Sequence, residues 1–422
     1  MSAFDLKLPR MATIRQSLYH APLGEAEVIA SVQREFARTG LLNKIQAGQT
    51  IAIGAGSRGI ASINLIIRTL VEEVKKINAN PFVFPAMGSH GGATAEGQVE
   101  MLGTLGITES YIGCSILSSM DVIELGTTAR GVPVFLDKNA CQADGIIIAN
   151  RIKAHTNFRG EVESGLMKML AIGTGKQRQA MAIHAMGADG LRDNIPEVGQ
   201  ALLDRAPVLA GFASIEDGYH NATRIIGVEP ENFLRTEIEL LKEAKHYMPK
   251  LPLKQFDILV VDQIGKNISG SGMDSNVVGR VRLPGLNAFP EPDIQVIIAL
   301  DMTEESHGNA VGVGLADLTV RRLVNKVDYH ATYTNVLTGN GPQHGAIPVT
   351  LESDKEAIQT ASKYLLPPMN PSDIKMMRIR NTLTLDVLQV SEAVLRQLQS
   401  LDGIEIITEL AEIEFDSSGS LF

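Results

Sequence analysis

The chain has 422 residues, a formal net charge of −10, 44% hydrophobic and 20% charged residues, a length beyond that at which one core keeps growing, so two domains are expected. The acidic balance and the lack of any Lys/Arg-rich block exclude a nucleic-acid surface, which needs clustered cations against phosphate. No apolar run reaches the roughly 18 residues of a membrane helix, and two cysteines without a CxxC exclude a disulfide framework.

Residues Met1 to Arg10 carry no apolar stretch, so a reducing, cytoplasmic location is expected. Thirty-nine glycines and no tryptophan suit loops folded closely around a small ligand better than an aromatic protein interface.

In chain order, Thr50–Ile53 reads as a buried strand, followed by the turn Gly54-Ala55-Gly56-Ser57-Arg58-Gly59. A helix over Ile60–Ile77 is predicted from Ile63, Ile66, Ile67, Leu70 and Val74. A second strand, Pro81–Pro85, runs into Gly88-Ser89-His90-Gly91-Gly92 and a helix over Thr94–Leu105. A third, Gly145–Ala149, leads to Lys153-Ala154-His155. Helical stretches are expected around Glu161–Leu170 and Gln177–Met186, then a hairpin over Val208–Val228 turning near Asp217-Gly218, and a helix over Pro230–His246. Met248-Pro249-Lys250-Leu251-Pro252 is the natural linker. Beyond it come strands at Asp257–Asp262 and Gln295–Asp301, a helix near Asp317–Val324, and a strand–helix–strand tail from Lys375.

Strand–loop–helix alternation predicts two α/β domains with largely parallel sheets, residues 1–250 and 251–422, and an active-site cleft between them. The tail is free to close the second domain or to return to the first.

Gly54-x-Gly56-x-x-Gly59 follows a strand and precedes a helix, as in a dinucleotide fingerprint. The strand at Pro81–Pro85 then ends without the carboxylate that would hold the ribose, so a phosphate- or carboxylate-binding loop fits better than NAD. Gly173-Thr174-Gly175-Lys176 lacks the first glycine and the hydroxyl residue of a phosphate loop, which removes an NTPase. Neither HExxH nor GxSxG occurs. His20, His220 and His246 read as solvated or structural. His90, His155 and His307 stand in loops after strands, where ligands bind in α/β folds. Each alone is most simply a surface residue; together they point to a cleft. Lys168, within Gly165-Leu166-Met167-Lys168-Met169-Leu170, is either an edge lysine whose stem lies on apolar surface or a desolvated nucleophile and covalent anchor.

Taken together, these segments resemble the nickel-pincer lactate racemase family. Ser57-Arg58 falls at that family's Thr-Arg loop, and Gly88-Ser89-His90 with Thr94 and Glu96 at its Gly-x-His segment. Ala154-His155 matches its second histidine, and Gly165 to Gly173 its lysine segment. His184 lies sixteen positions after Lys168 (184 − 168 = 16), as the family's later histidine does. Gly272-Met273-Asp274-Ser275-Asn276 keeps an Asp-x-Asn, and Ser306-His307-Gly308 is similar to a Gly-His-Gly. Ala55, Gly91, Val278-Gly279 and Arg282 depart from the family's aspartate, arginine, Tyr-Gln and lysine.

The resemblance implies a 2-hydroxyacid racemase or epimerase carrying a nickel-pincer nucleotide (nickel pyridinium-3-thioamide-5-thiocarboxylic acid mononucleotide). Lys168 would be its covalent anchor and His184 the metal ligand, with Gly56, Ser57, Gly173, Asp274 and Asn276 around the cofactor. His90 and His155 would be paired acid and base. Arg58, Arg282 and His307 would face the substrate, Arg58 gripping its carboxylate. Opened space at Val278-Gly279 and the fork of Arg282 suggest an acid larger or more polar than lactate. The implied partners are the 2-hydroxy acid and cofactor-synthesis proteins, with neither nucleic acid nor membrane; self-association into a homo-oligomer is left open. An NAD-dependent oxidoreductase and a non-catalytic cofactor-binding homologue are the competing readings.

Overall fold

The computed structural model describes residues 7–57 and 59–422. They form two compact units: Tyr19–Met248, and Pro249–Phe422 together with the N-terminal segment up to Leu18. The break falls within the double-proline linker. Among the described residues no helix is long and apolar enough to cross a membrane.

The Tyr19–Met248 unit is built on a five-stranded sheet in the order Asn80–Pro85, Thr50–Ala55, Gly145–Arg151, Val208–Glu216, Ala222–Val228. The first four strands are parallel and the last is antiparallel. Parallel strands are covered on both faces, which is why they read as unbroken apolar runs. Ile146 and Ile148 join the core on one face, and Ile147 and Ala149 the core on the other. The helix Ile63–Lys76 lays Ile63, Ile66, Ile67, Leu70 and Val74 onto the second of these cores. Thr94 caps Ala95–Thr104, its hydroxyl accepting the Gly97 N–H at 3.1 Å.

Two stretches differ from expectation. In place of a helix over Glu161–Leu170, Ser164 bridges Lys153 in an extended pairing. A single α-turn, Leu166–Lys168, then runs into a π-helical turn, Met169–Thr174. A long helix, Gly187–Arg205, was not anticipated at all. Its buried Leu191, Ile195, Val198 and Leu202 have helical spacing, but Pro196 and its glycines obscure the pattern.

The second unit has an eight-stranded sheet in the order Val349–Leu351, Leu318–Val320, Asp293–Met302, Gln255–Ile264, Met376–Ile379, Val387–Ser391, Met11–Gln16, Ile404–Ile406. Its first five strands are parallel and the rest antiparallel. The expected boundary at residue 1 therefore shifts: Met11–Gln16 pairs with Val387–Ser391 and Ile404–Ile406, so the N-terminal strand and the tail complete this sheet. The Asp317–Val324 segment is a strand, Leu318–Val320, before a short helix, Arg321–Val324.

Candidate active site

The carboxyl ends of the three adjacent strands Asn80–Pro85, Thr50–Ala55 and Gly145–Arg151 deliver the loops that carry His90, Ser57 and His155. Ser57 Oγ is in hydrogen-bond contact with His90 Nδ1, joining the first two loops. Arg58 lies outside the described residues. A Cβ at Gly56 would stand 3.3 Å from Asn150 Oδ1 and 3.8 Å from Met169 Sδ, so the glycine lets this loop lie against the next strand end.

Asn150 in turn donates from Nδ2 to the Gly165 carbonyl at 2.8 Å, fixing the start of the Lys168 turn. Beneath that turn lies Glu237, 1% exposed, which accepts the Met167 N–H at 2.8 Å. Burial pushes its carboxyl up to about 7, against the hydrogen bonds from the Met167 and Leu166 N–H groups. A methyl at Gly165 would overlap Glu237 Oε1 and stand 2.6 Å from Ile152 Cδ1, so this position requires glycine for close approach.

From the π-helical turn the chain enters the helix Lys176–His184, which ends at His184. Insertions of this kind in a helix are frequent at functional sites. Here the turn precedes the helix that brings His184 back toward Lys168. Burial first, and the charge of Lys168 second, lower the His184 imidazole to about 4. At neutral pH it is therefore uncharged, the form in which histidine binds a metal. Among the described residues no group of three or more His, Cys, Asp or Glu could hold a metal ion.

His90 is held from behind by a buried polar chain. Gln98 Nε2 donates to the carbonyls of Gly88 (2.9 Å) and His90 (3.2 Å). Gln98 Oε1 accepts from Lys176 Nζ at 3.0 Å, and Lys176, fully buried, pairs with Asp137 at 3.2 Å. Burial drives Lys176 down and Asp137 up, and their mutual contact opposes both shifts. Gly173 packs here too: its Cβ would stand 2.6 Å from the Ala86 carbonyl oxygen, and its own carbonyl accepts the Gly88 N–H at 3.2 Å. Its smallness joins the two loops.

His155 is clamped by its backbone. Its N–H donates to Glu163 Oε2 at 2.7 Å, and its carbonyl accepts from Arg159 Nη1 at 2.8 Å. Glu163 is wholly buried and also receives Lys245 Nζ at 2.6 Å. Sequence reasoning missed Glu163, Glu237, Gln98, Asp137 and the role of Lys176. Glu237, Asp137 and Lys176 act across the fold, and Glu163 and Gln98, though only eight to ten residues from the loops they hold, belong to no motif.

The sites expected in the second unit are engaged differently. Asp274 caps the helix Ser275–Val278, accepting the Asn276 N–H at 2.9 Å and the Asn276 amide at 2.6 Å. Arg282 donates to Asp317 at 2.9 Å and to the carbonyls of Gly314 (2.5 Å) and Ala316 (3.2 Å), so protein acceptors hold part of its fork. Val278 is buried in the core, and a Cβ at Gly279 would overlap the Pro292 carbonyl oxygen. The space expected at Val278-Gly279 is thus taken up by packing, while Arg282, held by these acceptors, lines a cavity of about 450 Å³ with Arg280 and Gln343. His307 is exposed, in a left-handed turn at φ 47°.

The dinucleotide reading loses its geometry as well. Gly54 lies inside the strand, packed on Phe84 and Ile148. A Cβ at Gly59 would meet nothing within 4 Å, whereas the third glycine of that fingerprint permits close helix–strand packing. The helix begins only at Ile63.

The family model described as lactate racemase N-terminal domain matches residues 3–192, a span that includes Ser57, His90, His155, Lys168 and His184. This part of the chain is similar to the lactate racemase N-terminal domain. The whole fold agrees: the lactate racemase apoprotein of Thermoanaerobacterium thermosaccharolyticum is similar with a TM-score of 0.56 at 13% identity, over 88% of this chain and 94% of that one. A protein of Thermotoga maritima is similar with a TM-score of 0.53 at 11% identity, over 87% and 99%. No curated protein sequence matches the chain. The matched span thus contains both the Ser57–His90 contact and the neighbouring Lys168 and His184.

Proposed function

We propose that this protein is a racemase or epimerase that inverts the α-carbon of a 2-hydroxy acid with a nickel-pincer nucleotide tethered to Lys168. The observation that carries the reading is the placement of Lys168 beside a neutral, half-buried His184 within the matched domain. One imidazole is too few donors for a protein-built metal site. It suits a metal that arrives with its other donors on an organic ligand, as a pincer does. When bound, that group supplies a reversible hydride acceptor, which side chains alone do not offer.

The chain's own residues do the rest. Lys168 would offer the amine for the tether and His184 would hold the metal. Gly56 keeps the first loop close to Asn150 and Met169. Arg58 is proposed to grip the carboxylate, because bidentate guanidinium–carboxylate pairing fixes orientation as well as position. A histidine after each of two strands serves the substrate oxygens as hydrogen-bond partner or proton carrier, His90 seated by Ser57 and Gln98, His155 by Glu163 and Arg159. Catalysis by such a positioned group contributes roughly 10²–10⁴-fold.

The test is a racemisation screen in deuterated water over lactate, malate, 2-hydroxyglutarate and aldonic acids, with chiral separation. One of these acids should invert without solvent deuterium at Cα. Heavy incorporation would contradict hydride transfer. A Lys168 adduct without turnover on any of them would leave a cofactor-binding homologue.

A further inference from the structure

The two loop histidines differ in what meets Nδ1, and this sets what Nε2 can do. The Asn157 backbone N–H donates to His155 Nδ1 at 3.0 Å. A backbone amide only donates, so that nitrogen must present its lone pair, and neutral His155 carries its proton on Nε2. Taking up a second proton would place an N–H against the Asn157 N–H. The loop gives the ring no easy way out of this arrangement. The residue's N–H and carbonyl are pinned by Glu163 and Arg159, and its ring lies against Phe158 with centroids 4.5 Å apart. At His90 the Nδ1 partner is the Ser57 hydroxyl, which can donate or accept. A hydroxyl therefore tolerates either tautomer and the imidazolium.

We infer that His155 is a fixed Nε2–H donor and that His90 alone exchanges the substrate proton. This refines the racemase reading and rests on it for the identity of the substrate, but the tautomer of His155 does not. In the proton step the substrate O–H bond breaks, its electron pair stays on oxygen, and an N–H bond forms at His90 Nε2. His90 thereby becomes an imidazolium, whose Nδ1–H stays in place and donates a hydrogen bond to Ser57 Oγ. His155 meanwhile donates a hydrogen bond to a substrate oxygen and gives up no proton. The site is one-sided, with one base and one donor in place of two interchangeable acid–bases.

Nitrogen-15 histidine-labelled protein, without cofactor, tests the tautomer directly through long-range proton–nitrogen correlation at neutral pH. The resonances are assigned by their loss in His155→Gln and, independently, in His155→Asn. His155 should show an unprotonated Nδ1 and a protonated Nε2; a protonated Nδ1 overturns the inference whatever the enzyme turns over. In loaded enzyme acting on the acid found by the chiral screen, His155→Gln, whose amide still donates but takes no proton, should keep about a tenth or more of the rate, whereas His90→Gln should lose roughly 10²–10⁴-fold. Equal losses in the two variants would overturn the division of roles, while a protein inactive on every acid would fail the racemase reading and leave the tautomer result standing.

Discussion

Glu237 shows how a residue far from the substrate is tied to the site. It is buried beneath the turn carrying Lys168, and burial holds its carboxyl near 7. A carboxyl raised in the folded state binds more protons there than in the unfolded chain. Its contribution to stability is therefore full below about 4.5 and is lost as pH rises through about 7. Glu237→Gln removes that dependence. The difference in unfolding free energy between wild type and variant should change by up to about 3 kcal/mol between pH 4.5 and 8, since each tenfold difference in proton affinity is worth about 1.4 kcal/mol, the variant gaining at the alkaline end. Urea unfolding at both pH values measures it, and parallel pH curves for the two proteins would remove Glu237 from this role. At the same scale, Lys176 was legible only as a failed phosphate loop. Its actual work, pairing with Asp137 and meeting Gln98 behind His90, needs partners 39 and 78 residues away, which no local spacing encodes.

Among the elements, the five strands of the main sheet of the Tyr19–Met248 unit and the helix Ile63–Lys76 were readable because burial imposes simple patterns. Double-sided burial makes unbroken runs such as Gly145–Ala149, and one-sided burial makes the stripe of Ile63–Lys76. The Lys168 segment escaped for the converse reason. Its apolar residues suit a helix, but Gly165 is extended at φ −174°, with its carbonyl taken by Asn150 and its Cα pressed on Glu237. Tertiary contacts thus override the local pattern, leaving one α-turn and a π-helical turn. Gly165→Ala should cost about 1–3 kcal/mol, the usual penalty of overpacking, and should also lower attachment at Lys168 because the turn must move. Thermal melts and the mass of the loaded protein check the two parts. Unchanged stability together with full loading would show that the close approach is not required.

Over the whole molecule, the two-unit α/β organisation followed from length and from the prolines at 249 and 252, whereas the ownership of the termini did not. Met11–Gln16 finds its partners near residues 390 and 405, and alternation along a strand says nothing about which distant strand it pairs with. The candidate site was legible as a set of histidines, a lysine and glycine loops after strands. The second-unit residues were less so, since Arg282, Asp274 and Asn276 each serve a partner in their own unit. The racemase reading stands or falls with the tether at Lys168. Protein co-expressed with cofactor-synthesis proteins should give an intact mass above that of the bare chain, and peptide mass spectrometry should place the added mass on Lys168 and lose it in Lys168→Ala. An adduct on any other lysine, or an unchanged mass under conditions that load a known lactate racemase, would contradict it.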